Sequence, residues 1–409
     1  MRMPRLRLAA RRRARRLSAP RRGMALPIAL MLLVVLSTLA ASSFTASRQT
    51  FRGGRNTLIE QRAMSVAEYG LNQQVANWRT ELNLPAPRGL AVGRVDSTNV
   101  WVAAGDTSKV RITRLTNMLY HVESVGRASI PNPALTAQRS VGAILRLAYP
   151  TIEPRGAITA GGRVDLQGSA IVDGRDYVPY SWDSDVAWAD SICNGMRGTL
   201  MPAIAVPPGT AQSDSSDRNI PSGAPKVIFD PAAGDSNTYV RFGTESWNTL
   251  TANATIKYLN GAAPGMTILP VDSAGTCRYS NTQNWGEPFR GAGSVASCVN
   301  YFPIIYVDGD LELQSNGRGQ GILLVNGNLK LRGTFDWVGL IIVRDDVERG
   351  NGTANITGAV MARNVNLSNN GSLWTGNQTV RYSKCAVESA LRGSAILVRA
   401  RDRAWTQLF

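Results

Sequence analysis

An apolar run from Met24 through Phe44 constrains this chain more than any other feature. The run contains no charged side chain. As an α-helix with a rise of ~1.5 Å per residue, it is just long enough to cross the ~30 Å hydrocarbon core of a bilayer. Arg21 and Arg22 lie directly before it. Because arginines that flank a span stay on the cytoplasmic side, we expect the segments after the run to be carried across the membrane.

Residues 1–23 are predicted to be a basic targeting leader rather than a folded segment. Ten of them are arginine and none is acidic, a composition typical of targeting sequences. The leader therefore accounts for much of the net charge of +16, and it contains no aromatic residue. A nucleic-acid-binding protein keeps basic and aromatic residues together on a folded face, so no nucleic-acid partner is expected.

Two processing schemes compete for the apolar run. In an ordinary secretory signal, cleavage after small residues near 40–42 would remove it. In the prepilin scheme, cleavage between Gly23 and Met24 would keep it as the mature N-terminus. The sequence favours the second scheme, because apolar residues continue beyond the run at steps of three and four, as on one face of a helix.

A single long helix is therefore predicted over residues 24–84. Pro27 falls in its first turn, where the missing N–H of proline is tolerated. Gly53 and Gly54 form a soft point, since glycine in a helix interior costs ~1 kcal/mol relative to alanine. Pro85 is expected to end the helix. A helix of this length is far longer than the helices of globular proteins, so part of it must lie in lipid or against other helices.

The basic leader, the Gly23–Met24 junction, the apolar start and the segment AMSVAEYGL at 63–71 occur together in this chain. Together they resemble the N-terminal domain of PilX-type minor pilins of the type IV pilus, over roughly residues 20–85. Major pilins carry a glutamate at the fifth mature position, where this chain has Ile28. This departure counts against a role as a repeating shaft subunit, whereas a subunit used once, at the tip of a fibre or in an initiating complex, escapes the requirement.

The resemblance also implies how the protein is processed and where it goes. Prepilin peptidase would cleave before Met24, and the new N-terminus would be methylated. The helix would wait in the inner membrane with a periplasmic head, and would then join other pilin subunits in an extracellular pilus through the inner-membrane pilus assembly machinery. The residues expected to pack in that assembly are Pro27, Ile28, Leu32, Leu33, Val34, Val35 and Leu36. The alternative is the equivalent pseudopilin of a type II secretion system, which serves a different machine.

Residues 85–150 are predicted to be rich in β-strands. Apolar and polar residues alternate at 110–115 and 119–125, and the run 139–147 mixes apolar with basic residues. His121 is the single histidine of the chain and falls in the second of these runs. It is expected to be a structural strand residue, because it has no obvious catalytic neighbour.

A repeat of 18 residues dominates the C-terminal part of the chain. A short fixed period predicts a solenoid, in which each repeat adds one coil to a stack. The predicted fold class is therefore a mainly β head, a β-solenoid or β-helix with coils of ~18 residues, on a long N-terminal α-helix whose first half is transmembrane. The repeated apolar positions are Leu311, Leu329, Val347 and Val365, and Val307, Val325, Val343 and Met361.

The solenoid head is expected to occupy residues 151–385. We expect an earlier coil at 156–166 and a large insertion at about 167–305 that projects from the coils. Insertions in repeat proteins often carry binding, but the sequence does not identify a surface ligand for this one. A helical turn at 385–391 is expected to cap the last coil, and residues 386–409 are expected to form the C-terminal cap and tail.

Four cysteines follow the apolar run, namely Cys193, Cys277, Cys298 and Cys385. An even number in an exported head favours two disulfides. Sequence proximity favours Cys277–Cys298, which leaves Cys193 with Cys385, and four buried free thiols are the alternative. None of the cysteines forms a C-x-x-C pair, so a zinc site is not expected.

No catalytic, cofactor-binding or metal-binding residue is predicted, and the chain is not expected to be an enzyme. With one histidine, a nucleophile–histidine arrangement would have to use His121, and no nucleophile elbow lies near it. The carboxylate pairs Asp183–Asp185 and Asp308–Asp310 could hold calcium, but they match neither an EF-hand loop nor the glycine-rich calcium repeat and are expected to be turn residues. A secreted carbohydrate-active β-helix enzyme remains the alternative from another class.

Overall fold

The computed structural model describes residues 25–84, 89–130, 135–166, 170–179, 182, 193, 200–210, 220–259, 267–314, 316–348, 353–362, 372–374, 377–399 and 405–408. The predicted leader, the Gly23–Met24 junction, the Asp183–Asp185 pair and Val365 lie outside these residues.

One long helix precedes a head built largely of β-strands. The α-helices are α1 Ala25–Ala76, α2 Pro231–Gly234, α3 Trp247–Ala252 and α4 Lys384–Gly393, and short 3₁₀ helices occupy Thr80–Asn83, Ser236–Tyr239 and Ala296–Cys298. The strands are β1 Val95–Ala103, β2 Asp106–Arg114, β3 Leu119–Ile130, β4 Leu135–Ala148, β5 Ile158–Ala160, β6 Val164–Leu166, β7 Ile171–Asp173, β8 Ile204–Val206, β9 Val227–Phe229, β10 Arg241–Phe242, β11 Glu245–Ser246, β12 Ile256–Tyr258, β13 Asp272–Ser273, β14 Thr276–Cys277, β15 Ile304–Val307, β16 Leu311–Leu313, β17 Gly317–Val325, β18 Leu329–Leu331, β19 Thr334–Val343, β20 Val347–Glu348, β21 Thr353–Ala362, β22 Ser372–Trp374, β23 Asn377–Tyr382, β24 Ile396–Arg399 and β25 Trp405–Leu408.

The helix α1 is continuous through Gly53 and Gly54, and it ends at Ala76 rather than at the predicted residue 84. The chain leaves the helix early because the next segment turns back onto the sheet. Tyr120 donates a hydrogen bond to the carbonyl oxygen of Leu82 over 2.8 Å. This contact comes from a residue far along the chain, so helical periodicity alone does not reveal it.

The first sheet of the head is antiparallel, in the order β1-β2-β3-β4. Its strands alternate between buried and more exposed residues, as expected for a sheet with one face covered. The last two strands, β24 and β25, both pair antiparallel with β4. Residues 396–399 and 405–408 are therefore part of this sheet, whereas the sequence predicted a cap and tail there.

The second main sheet has ten strands, and all its pairings are parallel. Its main order is β12-β15-β17-β19-β21-β5-β8-β9, with β23 and β7 attached beside β21. Ile304 pairs with Ile322 and Ile322 with Leu340, so successive partners are one 18-residue repeat apart. A smaller parallel sheet, β16-β18-β20, keeps the same spacing. The head as a whole combines antiparallel and parallel sheets, so the predicted solenoid does not describe all of it.

The central parallel strands are buried on both faces, which explains their nearly unbroken apolar sequences. Leu323 and Ile341 point into one core, whereas Ile322 and Leu340 point into another. The helix α4 lies on this second face, where Ala390 would contact a Cβ atom added to Gly339 of β19. The predicted cap is therefore a cover on the side of the parallel sheet rather than at its end.

The sequence predicted that the segment 167–305 projects from the coils as an insertion. In the structure, several strands of this segment instead extend the parallel sheet. Strand β8 pairs with β5, and β12 pairs with β15. Pairing satisfies the backbone N–H and C=O groups that an open sheet edge would leave unpaired. The predicted early coil also finds a distant neighbour, since Ile158 pairs with Val360.

Two disulfides link the head. One joins Cys277 to Cys298 and the other joins Cys193 to Cys385, the same pairing that sequence proximity favours. The second bond attaches residue 193 to the start of α4, across 192 residues of sequence. It therefore holds Cys193 against the helix α4.

Candidate functional site

The first part of α1 is an exposed apolar rod. Among the described residues, α1 is the helix long and apolar enough to cross a membrane, with a mean hydropathy of 2.3 over its most apolar window of 18 residues, and none of that window is buried. That criterion rests on length and composition. The predicted assembly residues all lie in this part and are all exposed, namely Pro27, Ile28, Leu32, Leu33, Val34, Val35 and Leu36.

The second part of α1 is seated on the antiparallel sheet. Its buried residues recur at steps of three and four and face β2, β3 and β4. They are Ile59, Ala63, Val66, Ala67, Gly70, Leu71 and Gln74. The change from exposed to buried comes at Ile59, so one continuous helix has an apolar half that the head leaves uncovered and a half that the head holds.

Small residues bring the helix and the sheet unusually close. A Cβ atom added to Gly126 of β3 would overlap backbone atoms of Ala63 and Ala67. A Cβ atom added to Gly70 would overlap the side chain of Ser108. Sequence analysis missed Gly126, although an isolated glycine inside an alternating strand is the usual signal of a close backbone approach. We call this contact of Ala63, Ala67 and Gly70 with Ser108 and Gly126 the seam.

Ion pairs flank the seam. The Nε atom of Arg62 lies 2.7 Å from a carboxylate oxygen of Asp106. Arg139 lies 2.5 Å from Glu60 in the same way. The Asp106 side chain is only 5% exposed, so its charge is held in the structure by this arginine. Both pairs join α1 to strands of the sheet and therefore fix the rotation of the helix.

The guanidinium of Arg114 holds the segment that follows α1. It donates to the carbonyl oxygens of Asn83, Leu84 and Leu90 over 3.1, 2.7 and 2.8 Å. Burial lowers the pKa of Arg114, and the nearby Tyr120 partly opposes that effect. Burial also raises the pKa of Tyr120 to about 12. A guanidinium carries five N–H donors in a rigid plane, which suits a cluster of carbonyl oxygens. Arg114 therefore fixes the segment that follows α1.

The exit from α1 is also tied to the end of the chain. The indole N–H of Trp78 donates to the Asn83 side chain over 2.9 Å, and the Asn83 amide donates to the carbonyl oxygen of Ala395 over 3.1 Å. Ala395 lies between α4 and β24. The helix, the antiparallel sheet and the segment leaving the parallel sheet therefore meet at Asn83.

Two of the remaining predicted polar positions, Asp308 and Asp310, have structural partners. Asp308 accepts a hydrogen bond from Asn326, and Asp310 accepts one from the backbone N–H of Asn328, each one repeat further on. His121 lies in β3, the strand expected for it. Within the described part of the chain, no three His, Cys, Asp or Glu side chains are grouped so that they could hold a metal ion.

Comparisons with known proteins give one structural likeness. No protein-family model matches the chain, and a search of curated proteins gives no match. Among solved structures, the chain is similar to the crystal structure of the competence-associated pilin ComZ from Thermus thermophilus, with 13% sequence identity, coverage of 86% of this chain and 96% of that chain, and a TM-score of 0.25. A TM-score this low does not establish a shared fold.

Proposed function

We propose that this protein is a structural, minor-pilin-like subunit of a type IV pilus. The observation that carries the proposal is the division of α1 at Ile59, with an exposed apolar half before it and a half seated on the head after it. A secretory signal that is cut away needs no such continuity. A subunit that keeps its apolar helix uses it first as a membrane anchor and then as the surface that packs into a fibre.

The mechanism follows from the chemistry of the exposed half. While the subunit waits in the inner membrane, lipid covers the apolar side chains between Leu26 and Phe44. On assembly, helices of other pilin subunits replace the lipid. Because lipid tails are as apolar as leucine, close packing rather than the hydrophobic effect favours the exchange. The seam keeps the head at a fixed angle to the helix during this transfer.

The absence of a carboxylate at Ile28 supports a role at the tip or in initiation. A repeating subunit needs a negative charge near the amine of its neighbour inside the apolar bundle, since an unpaired charge there is costly. A subunit used once has no such requirement. Processing between Gly23 and Met24 by prepilin peptidase, with methylation of the new N-terminus, belongs to this proposal.

We further infer that the part of the head around β15 to β23 is a short β-solenoid. The parallel strands of two sheets pair at intervals of 18 residues. Side chains at the corners repeat the interval, since Asn326 donates to Asp308 and Arg344 donates to Asn326. Corner asparagines and aspartates that bond to the next coil are an expected feature of stacked coils.

The test is the mature N-terminus of the protein from cells with and without prepilin peptidase. Mass determination should find a start at Met24, with an added methyl group, only when the peptidase is present. A start near Phe44 in either strain, as cleavage of an ordinary secretory signal would give, would overturn the proposal. A deletion strain then distinguishes the two machines, because loss of twitching indicates the pilus and loss of protein secretion indicates a type II system.

A further inference from the structure

A groove lies beside residues 288–289 on the face of the parallel sheet that the helix α4 also contacts. Its volume is about 310 Å³. Its floor comes from successive strands, with Asp336 on β19, Asn355 and Thr357 on β21, and Arg381 on β23. Pro288 and Phe289 form one wall, and Val338 adds an apolar patch to the floor. A groove of this kind presents polar groups at intervals of ~4.8 Å, the spacing between strands.

Two charged groups of the groove have no counter-ion among the described residues. Asp336 accepts one hydrogen bond, from the amide of Asn355 over 2.9 Å, and forms no ion pair there. The guanidinium of Arg381 lies 5.6 Å from the ring centroid of Tyr177, and no carboxylate pairs with it in the described part of the chain. The strands carrying Asp336 and Arg381 are separated by one strand, so the charges lie at opposite sides of the groove.

Trp337 also borders the groove, but its buried indole packs against Trp285 and Phe335 in the core on the opposite face of the sheet. The side chains that form the floor are therefore those of alternate strand residues, Asp336 and Val338 on β19 and Asn355 and Thr357 on β21.

We infer that this groove binds a neutral oligosaccharide. A sugar ring has hydroxyl groups at its edge and apolar C–H faces, and the groove offers acceptors, donors and apolar surface together. One carboxylate and one guanidinium cancel in charge, so the groove has no preference for a strongly anionic or cationic polymer. The groove lies on a sheet face rather than at a strand edge, and a peptide that adds a strand has no place there.

Binding rather than cleavage follows from the number of carboxylates. Glycoside hydrolysis needs two carboxyl groups about 5–9.5 Å apart, and Asp336 is the one carboxylate among the described residues that line this groove. The groove therefore fits a site that attaches the head to a glycan surface. The groove belongs to the head, and sugar binding there does not depend on how the helix α1 is used.

The test is calorimetric titration of the full-length protein in lauryldimethylamine oxide, a detergent without a sugar head group. The probes are cellohexaose and chitohexaose, which are neutral, and hexagalacturonate, which is acidic. At least one neutral probe should bind saturably at millimolar concentration or below, and more tightly than hexagalacturonate. Binding of neither neutral probe, or tighter binding of the acidic one, would overturn the inference.

Variants locate the binding. Asp336→Ala and Arg381→Ala should each weaken binding by about tenfold, the effect of losing one hydrogen bond to a charged group. Thr357→Trp should abolish it by filling the groove without entering the core. The matched controls are Asp345→Ala and Arg332→Ala, at exposed positions outside the groove. Equal affinities for groove and control variants that unfold at the wild-type midpoint would place the sugar elsewhere and contradict the inference.

Discussion

Gly126 of β3 and Ala67 of α1 touch through their backbones, and a side chain on the glycine would occupy the space of the alanine backbone. The helix therefore rests on the sheet at a distance set by the absence of one Cβ atom. This contact therefore fixes the orientation of the exposed apolar half of α1 relative to the head. A single methyl group added at Gly126 should change the stability of the head measurably.

Gly126→Ala should destabilise the head by about 1–3 kcal/mol, the usual cost of forcing extra atoms into a packed interior. The measurement is urea unfolding of the full-length protein in detergent. Gly53→Ala is the control, because Gly53 lies in α1 with no atom within 4 Å of its missing Cβ. It should be neutral or stabilising by up to ~1 kcal/mol. Equal destabilisation by both substitutions would contradict the claim that the seam leaves no room for a side chain at Gly126.

Arg114→Lys should cost about 2–4 kcal/mol, although the charge is kept. A lysine ammonium cannot reach the carbonyl groups of Asn83, Leu84 and Leu90 at once, and it leaves buried acceptors unsatisfied. Arg111→Lys on the exposed side of the same strand is the control and should change stability little. Both are compared by their urea midpoints. A midpoint for Arg114→Lys that matches the control would show that Arg114 does not hold the segment that follows α1.

Asp173 should make stability depend on acid pH. Burial raises the pKa of this carboxyl, but hydrogen bonds from Arg175 and Tyr177 outweigh burial and leave the pKa below its usual value. A lowered folded-state pKa gives stability that is complete above the unfolded pKa of about 3.9 and is lost as pH falls through the folded value. Wild type should therefore exceed Asp173→Asn in stability at pH 6, and the difference should shrink below pH ~4.

The control for that prediction is Asp345→Asn, which changes an exposed carboxylate. Its difference from wild type should be small at every pH. A gap between wild type and Asp173→Asn that stays constant from pH 6 to pH 3 would mean that the carboxylate is not held by Arg175 and Tyr177.

The two disulfides should differ in their contribution to stability. They close loops with sequence separations of 21 and 192 residues. Loop entropy assigns about 3 kcal/mol to the shorter loop and about 5 kcal/mol to the longer one. Removing Cys193 and Cys385 together should therefore lower the unfolding midpoint more than removing Cys277 and Cys298. The opposite order would show that local packing outweighs chain entropy here.

Val34→Lys should block incorporation into the membrane and the fibre while the head stays folded. A lysine at the centre of a span opposes insertion by about 2.5–3.5 kcal/mol. Val34 is exposed and belongs to the half of α1 that the head does not bury, so the urea midpoint in detergent should not change. Val34→Leu is the control and should behave as wild type in cell fractionation and in purified fibres. Normal recovery of Val34→Lys from the membrane would contradict the proposed anchor.

The sequence by itself determined the elements whose signals are local. The uncharged apolar run and the helical spacing after it gave α1, and the alternating runs near Val110 and Val122 gave β2 and β3. The 18-residue spacing predicted the register between Val307 and Val325. Each of these patterns is local, because it depends on which neighbouring side chains face water. A single sequence is therefore enough to reveal it.

Tertiary structure alone decided which distant segments meet. Ile158 pairs with Val360, β24 and β25 close the first sheet, and α4 covers the side of the parallel strands rather than their end. The early end of α1 has the same origin, because Arg114 and Tyr120 hold the segment after the helix from positions 30 and 38 residues away. A strand edge or a carbonyl cluster accepts many partners, so the choice depends on the three-dimensional position of the whole chain and not on any local pattern.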